Sequence, residues 1–343
     1  MTANPLWQLT LAKIREFFRE PEAIFWVFFF PVVLAAALGI AFRSRGPAAV
    51  HVGVREGPGV VQVLAALEAA DGITAERLDS AAAYDALRTG KLALVVIPGD
   101  SVSFWYDPTR EESRLARALA EDALQRARGR TDVVAVRSLE LTEKGARYID
   151  FLVPGLLGMN LMGTGLWGVG FGIVNSRQRR LLKRLVASPM RKSHYLLAQI
   201  FARLAFLALE VSVLVAFAHY AFAVPVRGSL GDLAIVSVLG AMTFSGMGLL
   251  VASRARTIEG VSGLMNLVMV PMWIGSGIFF STERFPDALQ PVIQGLPLTA
   301  VNNALRAVML DGHSVLAMPG EIAITALWGG LAFVGALALF RWQ

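Results

Sequence analysis

NSRQRRLLKRLVASPMRKSHYLLAQIFAR, residues 175–203, decides how this chain folds. It packs eight basic residues, Arg177, Arg179, Arg180, Lys183, Arg184, Arg191, Lys192 and Arg203, between two long apolar runs and holds no Asp or Glu. A basic side chain at mid-membrane costs roughly 2.5–3.5 kcal/mol on insertion scales, so eight would cost on the order of 20 kcal/mol. The stretch therefore stays out of the bilayer. Within it Leu181, Leu182, Leu185 and Val186 share one helical face, and Arg179, Arg180, Lys183 and Arg184 share the other. This reads as a cytoplasmic amphipathic helix. It ends sharply, because Pro189 disfavours helical geometry at Ser188, and Arg191 and Lys192 begin the climb into the next apolar run.

The rest of the composition agrees with a membrane protein. Of the 343 residues, 55% are hydrophobic and 17% charged, against about 25% charged in an average soluble chain. Several runs approach the roughly 20 apolar residues that cross a hydrocarbon core. The net charge of +6 sits in the membrane part and its short loops, because the long polar interval from 43 to 147 is close to neutral. Such a balance orients a chain and attracts anionic headgroups; it does not make a nucleic-acid surface. There is no cysteine, which excludes disulfides, thiol chemistry and cysteine-held metal. No G-x-x-x-x-G-K-[ST] loop occurs, so the chain carries no P-loop ATPase of its own. His51, His194, His219 and His313 are scattered and pair with no suitable acid, which argues against a metal site or an intramembrane enzyme.

Taken in order, residues 1–22 form an interfacial helix, with Trp7, Leu11, Ile14 and Phe18 opposite Lys13, Arg15, Glu16 and Arg19. Residues 23–42 form the first span, whose apolar core exceeds the roughly 7–15 residues of a signal-peptide core. Residues 43–148 then take the pattern of a soluble α/β domain, with strands at 51–55, 73–78, 92–98, 101–107 and 132–141 and helices at 60–71, 80–90 and 110–129. The second span, 149–174, carries Gly155, Gly158, Gly163, Gly165, Gly168, Gly170 and Gly172. That density predicts close helix packing, either within the chain or against a second protomer. Further spans are expected at 200–222, 233–252, 261–280 and 322–340, the fifth kinked at Pro271. Between the fifth and sixth, Pro286, Pro291 and Pro297 leave pieces too short to cross, read as re-entrant helices in the outer leaflet. Glu210 is the one acid deep in a span, and Arg203 lies two turns away on its face, which predicts a structural pairing. Met159, Met162, Gly163, Trp167, Asn266, Met269 and Trp273 are candidates for a substrate path or dimer interface. The fold class is thus a six-helix membrane bundle with an inserted extracytoplasmic α/β domain. Basic loops place both termini in the cytoplasm and residues 44–147 outside the plasma membrane.

Two stretches carry a family resemblance. Residues 181–200, with the Leu-x-Arg-Leu core at Leu182 to Leu185 followed by Ala187 and Pro189, resemble the cytoplasmic loop of ABC-2 type transporter permeases. Residues 271–312 resemble the closing signature of that family, through Pro271, Ser276, Gly277, Phe285, Pro286, Leu296, Pro297, Leu298 and Arg306. Gln178 and Arg180 stand where many members have acidic residues and a glycine just before that core. The resemblance implies a permease that pairs with a second copy or a paralogue and binds separate ATP-binding subunits, which hold the ATP and magnesium. Arg180, Leu181, Leu182, Lys183, Arg184, Leu185, Val186 and Pro189 would then form the coupling helix gripped by those subunits. The expected activity is export of a lipophilic or amphipathic substrate. The reading from another class is a membrane scaffold or sensor whose outer domain binds a ligand.

Overall fold

The structure is a computed structural model that describes residues 5–42, 49–99, 101–131, 134, 145, 147–178, 192–255 and 257–339. The chain divides into two compact units, one of Met1–Arg43 with Thr142–Gln343 and the other of Ser44–Leu141. The larger unit begins with α1 (Pro5–Phe18) and α2 (Pro21–Ala41). Pro21 opens α2 where a missing N–H costs nothing. Residues Phe25–Phe29 widen into a π-helical turn before the helix resumes.

The smaller unit is a doubly wound α/β layer. It runs β1 (Val50–Arg55), α3 (Val60–Glu68), β2 (Ile73–Leu78), α4 (Ser80–Arg88), β3 (Leu94–Ile97), β4 (Ser103–Trp105) and α5 (Glu111–Ala127). The sheet order is β2-β1-β3-β4, with β1 parallel to both neighbours and β4 antiparallel to β3. Because β2 and β3 flank β1 on opposite sides, right-handed crossovers put α3 and α4 on opposite faces. Val52, Val54, Leu94 and Val96 pack with Val63, Leu67, Ala116 and Ala120 on one face, and Val95 packs with Ala83 and Leu92 on the other. Asp79 caps α4 by accepting from the Ala82 N–H at 2.7 Å. Apart from Val134, the strand expected at 132–141 falls outside the described residues.

The larger unit resumes with α6 (Tyr148–Gln178), α7 (Lys192–Phe222), α8 (Leu230–Arg254), α9 (Ile258–Gly275), α10 (Pro297–Arg306) and α11 (Pro319–Leu339). Six helices are long and apolar enough to cross a membrane: α2, α6, residues Phe201–Phe222 of α7, α8, α9 and α11. Two differ from the sequence reading at the basic stretch, since α6 runs on to Gln178 and α7 starts at Lys192. The helix α9 stops five residues early, at a turn where Gly277 takes φ +69, a conformation that glycine adopts without strain. Beyond it come two 3-10 turns, Thr282–Arg284 and Asp287–Leu289, a short α-helical segment, Gln290–Gln294, and then α10.

The core of this unit is α6. Its most apolar window is 83% buried, against 17% for α2 and for α11, so the other helices are arranged around it. Its glycines divide into two sets. A Cβ on Gly165 would lie 2.7 Å from the Phe244 Cβ, one on Gly155 would lie 2.8 Å from the Ile278 carbonyl oxygen, and one on Gly158 or Gly170 would collide with Asn302 or Met265. A Cβ on Gly163, Gly168 or Gly172 would meet nothing within 4 Å. A π-helical turn at Leu166–Phe171 separates the start of α6 from its last two turns.

Candidate functional site

The expected coupling residues Arg180, Leu181, Leu182, Lys183, Arg184, Leu185, Val186 and Pro189 lie outside the described residues. What is described is how their flanks are held. Arg177, at the last turn of α6, donates to the carbonyls of Ala255 at 2.8 Å and Ala252 at 3.3 Å, which are the open end of α8. A guanidinium there satisfies carbonyls that the helix itself leaves unpaired. On the other flank, α1 lies along α7, with the Phe17 and Phe206 rings 4.3 Å apart and Phe28 of α2 6.0 Å from Phe17. Leu6, Trp7, Thr10 and Ile14 of α1 and Phe201 and Ala205 of α7 line an apolar recess of about 390 Å³.

Of the path candidates, Met159, Met162 and Met269 are buried in one core cluster, and Trp167 and Trp273 pack on its margin. Asn266 faces outward on α9, and Gly163 borders open space. Trp273 keeps its indole N–H buried, without a hydrogen-bond partner among the described residues.

A polar cluster joins three helices inside the apolar core. Glu210 is 2% exposed, and its carboxylate accepts from Arg203 at 2.9 Å and from the Thr164 hydroxyl at 3.2 Å. Arg203 also donates to Thr164 at 2.7 Å. One turn earlier on α6, Asn160 donates to the Val27 carbonyl at 3.1 Å, inside the π-helical turn of α2. Arg203 therefore belongs to the intramembrane part of α7 and not to the solvated basic stretch, and the pairing with Glu210 is present. Thr164 and Asn160 carry no charge and gave no sequence signal.

A second arginine works at the other end of α6. Arg306 donates to the Gly277 carbonyl and, at 3.4 Å, to the Phe151 carbonyl, and its guanidinium lies 3.8 Å over the Phe151 ring. Asn302 donates to the Ser276 carbonyl at 2.8 Å. The signature residues Ser276, Gly277 and Arg306 thus meet at one junction of α6, α9 and α10. No group of three or more metal-ligating side chains occurs among the described residues.

Known proteins resemble part of the chain. Inner membrane transport permease YadH of Escherichia coli is 29% identical over 201 residues, covering 58% of this chain and 75% of that one. The probable multidrug ABC transporter permease YbhR of Escherichia coli is 22% identical over 199 residues, 57% of this chain and 53% of that one. ABC transporter G family member 20 of Dictyostelium discoideum is 25% identical over 198 residues, 57% of this chain, and the match spans only 27% of that longer protein. The family model described as ABC-2 family transporter protein matches residues 21–340. With six apolar helices, α6 the most buried of them, and with Ser276, Gly277 and Arg306 of the signature at one junction, the chain belongs to the ABC-2 family of transporter proteins.

Proposed function

We propose that this chain is the permease subunit of an ATP-binding cassette exporter that carries a lipophilic or amphipathic substrate across the membrane, driven by ATP hydrolysis on a separate subunit. The observation that carries this reading is the ABC-2 match over residues 21–340 in a chain with no nucleotide-binding loop. ATP and magnesium would be held by the partner, which would grip the segment between Gln178 and Lys192 through Leu181, Leu182, Lys183, Arg184, Leu185 and Val186. The helices on both sides of that segment support a role as a push-point, since α6 is tied to α8 by Arg177 and α7 carries α1 along its length. A second protomer, or a paralogue, would pack against the open glycine face of α6. The apolar recess between α1 and α7 supports access from lipid.

The test is co-purification with the ATP-binding subunit. Leu185→Asp is expected to leave the protein inserted but to abolish retention of that subunit in a pull-down. Normal retention would move the coupling site elsewhere, α1 being the next candidate. An ATPase that never associates with the parent chain would instead favour the scaffold reading.

A further inference from the structure

The segment Leu296-Pro297-Leu298-Thr299 opens α10 without a cap. Pro297 has no N–H to satisfy, but the next two residues do, and the start of a helix leaves those donors without intrahelical acceptors. A Ser, Thr, Asp or Asn at the preceding position ordinarily accepts from them. Leu296 stands there and cannot. The Ala300 N–H reaches the Leu296 carbonyl at 3.1 Å, while the N–H groups of Leu298 and Thr299 have no acceptor among the described residues. Neither residue touches solvent: both are 0% exposed, and Ala300 and Val301 beside them are buried.

The start of a helix is a common feature by itself; here buried side chains add to its unmet donors. The Thr299 hydroxyl is enclosed and has no partner among the described residues. Side chains lean toward the N-terminus of their helix, so this hydroxyl leans back over the same two N–H groups. The Ser276 hydroxyl and the Trp273 indole N–H, also buried and without a partner, belong to the end of α9 that α10 holds through Asn302. Asn302 does not serve them, because its amide N–H goes to the Ser276 carbonyl and its carbonyl oxygen faces Gly158 of α6. Residues 288–310 contain no Asp or Glu. The junction therefore holds a surplus of donors and no anion to accept from them. Its walls are apolar: the Leu298 Cδ1 would lie 3.4 Å from a Cβ on Gly158, and the Val301 Cγ1 3.3 Å from one on Gly240 of α8. The approach is at Gly295, which is exposed, and Leu296, which is half-buried, and just before them Leu289 and Val292 are exposed apolar side chains.

We propose that the first turn of α10 is a binding site for the oxyanion head, phosphate or carboxylate, of an amphiphile whose chain lies along Leu289 and Val292. The free N–H groups and the dipole of a helix start favour negative charge. The apolar walls favour a head carried on a hydrocarbon chain over a hydrated inorganic ion. That this amphiphile is the exported substrate rests on the permease reading above; the site itself rests on the unmet donors alone.

The full chain in detergent, without any ATPase, is enough to test the site. Its unfolding temperature would be followed against lauryl phosphate, laurate, lauryl alcohol and inorganic phosphate. The two anionic amphiphiles are expected to raise it above the level reached with lauryl alcohol, and inorganic phosphate to leave it unchanged. Two variants probe the turn. Leu296→Asn supplies a built-in acceptor for the free N–H groups, and Thr299→Val replaces the hydroxyl with a methyl; each should weaken binding about tenfold, the worth of one hydrogen bond to a charged group. Neither should lower the unfolding temperature of the ligand-free protein, since one adds a cap and the other removes an unpaired buried group. If the anionic amphiphiles stabilise the parent no more than lauryl alcohol does, the proposal is overturned and water alone meets the donors. An excess that both variants retain, or that inorganic phosphate matches, overturns it as well. If the complex with the ATP-binding subunit binds lauryl phosphate at this turn but hydrolyses ATP at an unchanged rate, the site stands and its assignment to the exported molecule falls. An ATP-binding subunit that never associates counts against the permease reading and leaves the binding comparison to decide the site.

Discussion

At the scale of single residues, the Arg203–Glu210 pair is the most exacting demand in the molecule. Glu210 is enclosed, Arg203 nearly so, and each is the other's compensation. Removing one partner of such a pair leaves a buried charge unpaired, a loss of about 3–5 kcal/mol, whereas replacing both with apolar groups of similar volume is often close to neutral. Glu210→Ala and Arg203→Ala should each lower the thermal unfolding temperature in detergent markedly, and Arg203→Met combined with Glu210→Leu should recover most of the loss. A double variant as damaged as the sum of the singles would mean that the cluster stabilises through Thr164 and not through the pair. Sequence periodicity made Glu210 and Arg203 visible together because they are seven residues apart on one helix. It could not do so for Arg177, whose acceptors lie 75 and 78 residues away, or for Arg306, whose acceptors lie 29 and 155 residues away. Both stood in the sequence as basic residues of a loop or a signature, with nothing local to indicate that each would close off a neighbouring helix end.

At the scale of the element, α6 separates two uses of glycine that composition alone left open. Gly155, Gly158, Gly165 and Gly170 face the chain's own helices, while Gly163, Gly168 and Gly172 face open space. Substitution should therefore act in two distinct ways. Gly165→Leu would drive a side chain into Phe244 and should destabilise the fold, overpacking of this kind costing about 1–3 kcal/mol or more. A Cβ at Gly163 or Gly168 meets nothing within 4 Å, so if the proposed second protomer packs on this face, Gly163→Leu and Gly168→Leu should keep the parent's unfolding temperature while weakening self-association in light scattering. If both variants remain as dimeric as the parent, the second copy docks elsewhere. The spans themselves were legible because about 20 apolar residues leave an unmistakable trace. The π-helical turns in α2 and α6 were not, because they use the same apolar residues as the α-helix around them.

For the whole molecule, the division into an α/β unit and a helical unit was readable from the switch between short alternating runs and long apolar ones. The doubly wound strand order was beyond reach, because crossover directions are set by pairing between strands 20 or more residues apart. The proposal that residues 44–147 lie outside the membrane rests on the basic loops alone. Cysteines introduced at Ser80, in α4, and at Ser188, in the basic stretch, test it with an impermeant thiol reagent on intact cells. Ser80→Cys is expected to label readily and Ser188→Cys only after the membrane is broken. Equal labelling of the two would remove the assignment of residues 44–147 to the outside.

The wide turn at Leu166–Phe171 has one more implication, for how this helix tolerates length changes. Each residue added to or lost from an ordinary α-helix rotates everything beyond it by about 100°. A π-helical turn amounts to one extra residue absorbed locally, with the phase of the following turns preserved. Deleting Val169 should thus tighten the turn into regular α-helix and leave Gly172 and Arg177 aimed as before. Deleting Leu161 should rotate both, carrying Arg177 off the Ala252 and Ala255 carbonyls. The first deletion is expected to purify as a folded protein with a modest loss of thermal stability, and the second to fail. Six residues in the middle of the most enclosed helix are then a place where one residue can be lost without scrambling its faces.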